Sequence, residues 1–500
     1  MILALLFTVS QFTTQDIDLR TSRDVAELLR EAPGVSVEGD ALLIRGADPQ
    51  HTRILWNGIE IDEPYTGVVD TRRFSTVGVT RLEVAAGVAR PESVSRGGAA
   101  GGVINLVTNP DRTTLRATGE VGGDELRLVN GTASYMHGVH SASVSLEALE
   151  AERAQRDTAH LLYRFTLPTF SVGVAARGVR HEDSLLLIES VEQRAGDEWQ
   201  VGIPIAQTLG RFSYDLHLSQ SERDDEAGDG FFFGNVTSTT RRARLVTRYG
   251  GLSVGAERKQ SEANETTSFG PFVEDAEQNA TAVFIEQQVA HALGDARLQA
   301  TVGLRYDDYD TFGDELSPRV ALAYSFAGNT IRAGFAEGFR APTLRELYDP
   351  FIGDESLTAE RSRTYEAGFS RGALHATAFA SDYRDRIAFD VTEQRFVSGG
   401  AVDISGLELA YARTFGRLAT RLSYTRFDRD EELLRIERNA GSLFLGYTAG
   451  RFRASAVVVH QHFTSFDANV QFDLGAFTPY VKFEDYDEDR RIVGGVRFVR

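Results

Sequence analysis

Apolar and polar residues alternate one for one along most of the chain beyond residue 113. Between residues 298 and 306 the apolar set is Leu298, Ala300, Val302, Leu304 and Tyr306, and Gln299, Thr301, Gly303 and Arg305 stand between them. Residues 243–249 repeat the pattern with Arg242, Arg244 and Arg248 on the polar face, and residues 252–257 repeat it after Tyr249-Gly250-Gly251. Successive side chains of a strand point to opposite faces, so each stretch predicts a strand with one apolar and one polar side. Residues 11–109 have a different texture. A helical pattern runs through residues 24–30, with Val25, Leu28 and Leu29 on one face, Thr21 or Ser22 as its cap and Ala32-Pro33-Gly34 as its stop. Short β-rich pieces follow at 41–44, 53–56, 79–84 and 102–107.

The turns separate a soluble sandwich from a barrel. Tight glycine turns recur at Gly250-Gly251, Ala327-Gly328-Asn329, Arg371-Gly372, Phe415-Gly416 and Ala449-Gly450, and polar loops are expected at 222–230, 307–317 and 428–437. Short turns at one end and longer loops at the other mark a transmembrane barrel. Tyr249, Phe326, Phe369, Phe415 and Tyr447 stand beside the short turns, where an interfacial aromatic girdle belongs. Residues 113–500, at about 10 residues per tilted spanning strand plus turns, accommodate roughly 20 strands. The fold expected is an all-β membrane protein, an antiparallel transmembrane barrel of about 22 strands. A cylinder that wide cannot be filled by its own side chains, so residues 11–112 are expected to form a small α+β plug in its lumen.

Composition narrows the function classes. Mean hydropathy is −0.23, and the one unbroken apolar run, residues 2–9, is far shorter than the roughly 20 residues a spanning helix needs. Residues 1–10 read as a secretory signal, although no Lys or Arg precedes the apolar stretch. A net charge of −19 lacks the basic footprint that nucleic acid requires. With no cysteine there is no disulfide, thiolate metal site or thiol nucleophile. No GxSxG or HExxH is present, and no catalytic constellation stands out, so the chain does not read as an enzyme.

Several motifs carry a family resemblance. Residues 24–34, DVAELLREAPG, resemble the opening helix of the plug of TonB-dependent outer-membrane receptors. Leu43-Ile44-Arg45-Gly46 resembles that family's IRG strand, and Trp56-Asn57-Gly58-Ile59 stands where it has an Asp-Gly turn. Arg81-Leu82-Glu83-Val84 and Gly101-Gly102-Val103-Ile104-Asn105-Leu106-Val107-Thr108 are similar to its closing plug strands. In the barrel region, residues 338–348 (GFRAPTLRELY), with Arg340, Pro342 and Glu346, read like a family signature. Leu357-Thr358-Ala359-Glu360 and Tyr365-Glu366-Ala367-Gly368 follow in the family's order. The likeness spans nearly the whole chain and is nearest to the cobalamin-receptor-like branch. It implies a monomer in the bacterial outer membrane, among lipids and lipopolysaccharide. It also implies a small-molecule nutrient ligand of the metal-chelate or cobalamin class, and import energised by TonB. Arg45, Gly46, Asn57, Gly58, Arg81, Gly101, Gly102 and Asn105 would then be structural or gating residues of the plug.

Departures from the family pattern set further expectations. Residues 14–19 already resemble the plug's first turn, leaving little room for the TonB box, so the alternative is an uncoupled receptor or channel. Residues 87–97 carry Arg90-Pro91 and Ser95-Arg96 where Gly-Pro and Tyr-Gly are usual, and Phe498 stands two residues short of the usual aromatic terminus. Gly101-Gly102 is read as a close backbone approach. Arg45, Arg53 and Arg81 are expected to pair with lumen carboxylates such as Glu257 or Glu286. No cofactor is expected beyond Ca²⁺ in an outer loop. There Asp224, Asp225 and Asp229 are hard-oxygen candidates, although a solvated acidic loop tip is the plainer reading. His460 and His462, two apart on an expected strand, are a second metal candidate beside an ordinary lumen-facing role.

Overall fold

The structure, a computed structural model, describes residues 9–38, 41–88, 101–186, 191–228, 233–429, 437–486 and 489–500. Residues 1–8 of the signal-like segment, the Arg90-Pro91 and Ser95-Arg96 departures and Asp229 lie outside the described residues. Twenty-two antiparallel strands close a barrel, and the last, Asp489–Val499, pairs with the first. Alternation works as the pattern requires. Val302 is 56% exposed on the outer surface and its neighbour Thr301 is fully buried toward the lumen. Tight turns gather at one end. Gly250, Gly372, Gly416 and Gly450 all hold φ at +59 or +60, the left-handed conformation that a II′ hairpin needs at its first position. Tyr249, Phe369, Phe415 and Tyr447 are exposed beside them, and Phe498 packs on Phe477 at 5.2 Å where the barrel closes.

The other end departs from expectation. Residues 307–317 are not a loop, because Ala296–Tyr309 and Gly313–Phe326 stay paired up to Tyr309 and Gly313. Residues 222–228 likewise belong to the strand Phe212–Gly228. Strands here run past the bilayer into water, where both faces turn polar and the sequence loses its alternation. The wall is uneven: Gly270–Leu293 has 24 residues and Phe452–His460 only nine. Of residues 428–437, 430–436 lie outside the described residues.

Inside stands the plug. Its strands are β1 (Val9–Thr13), β2 (Val35–Glu38), β3 (Ala41–Ile44), β4 (Thr52–Trp56), β5 (Ile59–Ile61), β6 (Arg81–Ala86) and β7 (Gly102–Val107). One sheet has the order β1-β6-β7-β4-β5, with β4 parallel to β7, and β2-β3 is a separate hairpin. Barrel strands β8 (Thr114–Gly122) and β9 (Arg127–His137) follow directly. Two helices pack on the sheet, α1 (Thr14–Arg20) and α2 (Val25–Leu29). Thr21 and Ser22 do not cap α2. Thr21 terminates α1 at φ +53, while Asp24 and Glu27 form the capping box of α2. The run before Thr21 does not display its helix, because Ile17 and Leu19 alternate with Asp16, Asp18 and Arg20 as in a strand. Phe12, Ile17, Leu28, Ile44, Trp56, Leu82 and Ile104 form the plug's own core.

Candidate functional site

The chemistry of this molecule lies where the plug meets the barrel wall. Arg45 follows β3 in the left-handed conformation, φ +54, with Gly46 at +76. That kink aims the side chain at the wall. Nε and Nη2 donate to the two oxygens of Glu408 at 2.8 Å each, and Nη1 donates to Glu366 at 3.0 Å. The guanidinium also lies over Phe379, 4.6 Å from the ring centroid, and is 3% exposed. Two glycines make room for the fork: a Cβ on Gly34 would overlap Glu408 Oε1, and one on Gly87 would overlap the Arg45 guanidinium. Burial alone would lower the Arg45 pKa, but Glu408 and Glu366 raise it, so the guanidinium stays charged.

The other two arginines differ from expectation. Arg53 forms an ion pair with Glu60 of the plug at 2.8 Å, and Glu60 is bridged to the wall by Arg242. Arg81 pairs with Glu83 on its own strand at 2.9 Å and is half exposed. Glu257 and Glu286 serve wall arginines, Glu257 with Arg305 and Glu286 with Arg319. Which carboxylate an arginine meets depends on barrel register, which the sequence does not display.

The plug motif residues fall into two groups. Asn57 and Gly58, at φ +52 and +82, form the two-residue turn between β4 and β5. Asn57 Oδ1 accepts from the Thr108 amide at 2.8 Å, Gly58 N donates to Asn105 Oδ1 at 3.0 Å, and Asn105 Nδ2 donates to Glu83 at 3.1 Å. Arg81 extends this chain through Glu83. These residues knit the sheet together near the short-turn end. Gly101 and Gly102 lie at the opposite end, and a Cβ on Gly102 would stand 2.6 Å from the Ala85 carbonyl oxygen.

Signature residues of the barrel act as a clasp. Arg340 donates to Glu346 at 2.8 Å and to Glu360 at 2.9 Å, and His51 of the plug pairs with Glu360 at 2.7 Å. Thr343 and Glu346 box the start of α3 (Leu344–Tyr348). Backbone amides of Leu344 and Arg345 then donate to the Pro64 and Tyr65 carbonyls of the plug's outer loop at 3.0 and 2.9 Å. The Pro342 carbonyl accepts from Gln278 at 3.1 Å. No local signal in the sequence marks Glu366, Glu408, Gly34 or Gly87 as partners of Arg45, although Glu366 stands within Tyr365-Glu366-Ala367-Gly368.

The metal candidates are drawn apart. Asp225 holds Arg73 of the plug at 2.8 Å and Asp224 accepts from Asn235 at 2.6 Å, both from a strand and not a loop tip. Among the described residues no group of three His, Asp or Glu is disposed to hold a metal. His460 ends its strand and bonds Thr464, while His462 lies in the following turn against Glu38 and Glu437.

Acid should release these contacts late. Burial alone would raise the carboxyls of Asp16, Asp24 and Glu60, but facing guanidiniums hold all three below their ordinary values. They are Arg421 and Arg20 for Asp16, Arg156 and Arg23 for Asp24, and Arg242 and Arg53 for Glu60. A carboxylate depressed by folding stabilises the folded state fully above its unfolded value, and that contribution is lost as pH falls through the folded value. Plug docking is therefore expected to be as tight at about pH 5 as at about pH 7, and to weaken only below about pH 4. Hydrogen exchange of plug amides, corrected for intrinsic rates, measures this. Lost protection already near pH 5 would show that other groups control docking.

Comparison with known proteins follows this division of the chain. A model of the TonB-dependent Receptor Plug Domain matches residues 3–103, and one of the TonB dependent receptor-like beta-barrel matches residues 99–486. The Vitamin B12 transporter BtuB of Photobacterium profundum is 23% identical over 538 residues, covering 94% of this chain and 84% of the relative. The siderophore receptor PirA of Pseudomonas aeruginosa is 18% identical with a TM-score of 0.77, over 98% of this chain and 99% of that one. Serratia marcescens hemophore receptor HasR, a double mutant solved with its hemophore HasA and heme, is 13% identical with a TM-score of 0.81, over the whole of both chains.

Proposed function

Given that this chain belongs to the TonB-dependent receptors of the bacterial outer membrane, which act as receptors and transporters and not as enzymes, we propose that it imports a scarce nutrient of the metal-chelate or cobalamin class, energised by TonB. The observation that carries this reading is the clamped plug. Buried ion pairs at Arg45, Arg73 and Arg242, with the His51–Glu360 contact, tie it to the wall around its girth, so a ligand cannot cross by diffusion. Tight binding alone does not move such a body, and work has to be delivered from the short-turn side, which in this class of barrel is periplasmic.

Support for the ligand class comes from the outer end. Tyr309 stacks on Phe312 at 4.6 Å, and Phe351, 78% exposed, lies 5.5 Å from Phe272 beside the plug's Tyr65. Aromatic faces next to charged groups suit a ligand with a flat or macrocyclic body and polar edges. Accumulation of ferric chelates, haem and cobalamin is to be followed in a strain deleted for this gene and complemented with it, with and without TonB. Uptake of one class that disappears without TonB is the expected result. Absence of both uptake and binding across the panel would overturn the proposal.

A further inference from the structure

Two cavities flank the plug on one side of the barrel. The outer one, about 360 Å³, lies above α2 and reaches the long-strand end at Leu149, Gln155, Glu182 and Arg491. The inner one, about 140 Å³, runs beside α1 to Asp111, Arg112 and Thr114 near the short turns. Both are lined by Ser22 and Arg23. The inner cavity has a wall of short hydroxyl side chains, Thr118, Thr132, Ser134 and Ser143 from the barrel facing Thr21 and Thr76 of the plug. Elsewhere arginine–carboxylate pairs such as Arg45–Glu408 and Arg242–Asp62 fill the gap between plug and wall. Here Arg116 and Arg497 of the wall both reach Asp18 of the plug, the second at 3.2 Å, and the short hydroxyl side chains beside them leave the remaining space open.

One guanidinium, that of Arg23, is common to both linings. Arg23 Nη1 donates to Glu120 of β8 at 3.1 Å, and Nη2 donates to both oxygens of Glu484 at 2.6 and 2.7 Å. Its side chain is 3% exposed. Lys482, 2.7 Å from Glu484 and 2.9 Å from Glu27, and Arg491, on Glu484, complete the cluster. Three cations thus face three carboxylates, and removing Arg23 leaves the carboxylates in excess.

We propose that this seam is a passive path for small cations past the docked plug, shut at Arg23. It is distinct from the import of a large ligand, because it requires withdrawal of one side chain and no movement of the plug as a body. With Arg23 withdrawn, Glu484 keeps Lys482 and Arg491 while Glu120 loses its ion pair, and that carboxylate favours cations as a charged ring does in a channel.

The full chain in planar bilayers under a KCl gradient tests this. The unaltered protein is expected to stay closed, and Arg23→Ala to carry a small current whose reversal potential shifts toward the potassium equilibrium value. Because the chain has no cysteine, Thr118→Cys in the Arg23→Ala background places a single thiol in the inner cavity. A cationic methanethiosulfonate should block the current there, and dithiothreitol should restore it. An Arg23→Ala protein that stays closed would overturn the proposal, as would a current without cation preference or one untouched by modification at position 118. Should Arg23→Ala fail to assemble, Arg23→Gln keeps most of the side-chain length without the charge, and the same readouts decide.

Discussion

Arg45→Ala is expected to weaken plug docking by about 3–5 kcal/mol, because it takes the bidentate partner from two buried carboxylates. Glu408 and Glu366 are each about 95% buried as side chains, and Arg45 supplies three hydrogen bonds to them. Replacing all three residues at once is a different experiment. With Glu366→Gln and Glu408→Gln added, the fork itself carries no charge, and much of the lost stability should return, since a buried pair contributes little beyond its neutral counterpart. Denaturant titration of the reconstituted protein, read from a label on the plug, gives the three values. A single mutant within about 1 kcal/mol of the parent would mean that solvent reaches the fork and the clamp is elsewhere.

Val302→Arg is expected to destabilise the folded barrel by about 2–4 kcal/mol, the cost of a guanidinium on the lipid face near the bilayer midplane. Val302 stands mid-strand in Ala296–Tyr309, outward and 56% exposed. Urea unfolding in lipid vesicles measures the difference against Val302→Leu, which should be nearly neutral. Spin labels at 302 and 301 supply an independent check, the first relaxed by oxygen from the lipid and the second shielded in the lumen. A neutral arginine at 302, or equal shielding at both positions, would remove that strand from the membrane wall.

Sequence alone reached far into this protein where the physics is local. A strand that faces lipid on one side and lumen on the other must alternate, so Leu298, Val302 and Leu304 announced their outward face directly. A two-residue hairpin needs positive φ, so Gly250 and Gly416 announced their turns, and Asn57-Gly58 its own. At 307–309 and 313–317 both faces of the strand carry polar side chains, with Asp307, Glu315 and Ser317 buried on the inner face, so the hydrophobic alternation fades and paired strand resembles loop. Helix α1 is hidden for a different reason: Ile17 and Leu19 alternate with Asp16, Asp18 and Arg20, a strand-like spacing.

Partnership could not be read in the same way. Arg45 and Glu408 lie 363 positions apart, and they meet only because the closed barrel sets β-register around the whole circumference and the plug sits at one depth within it. Change that register by one residue and Glu408 points to lipid while another residue faces the plug. The sequence therefore determined which residues line the wall and which form the plug. Only the tertiary structure decided that Arg53 pairs within the plug, that Arg45 reaches Glu366 and Glu408, and that Gly34 and Gly87 must lack a side chain to let it.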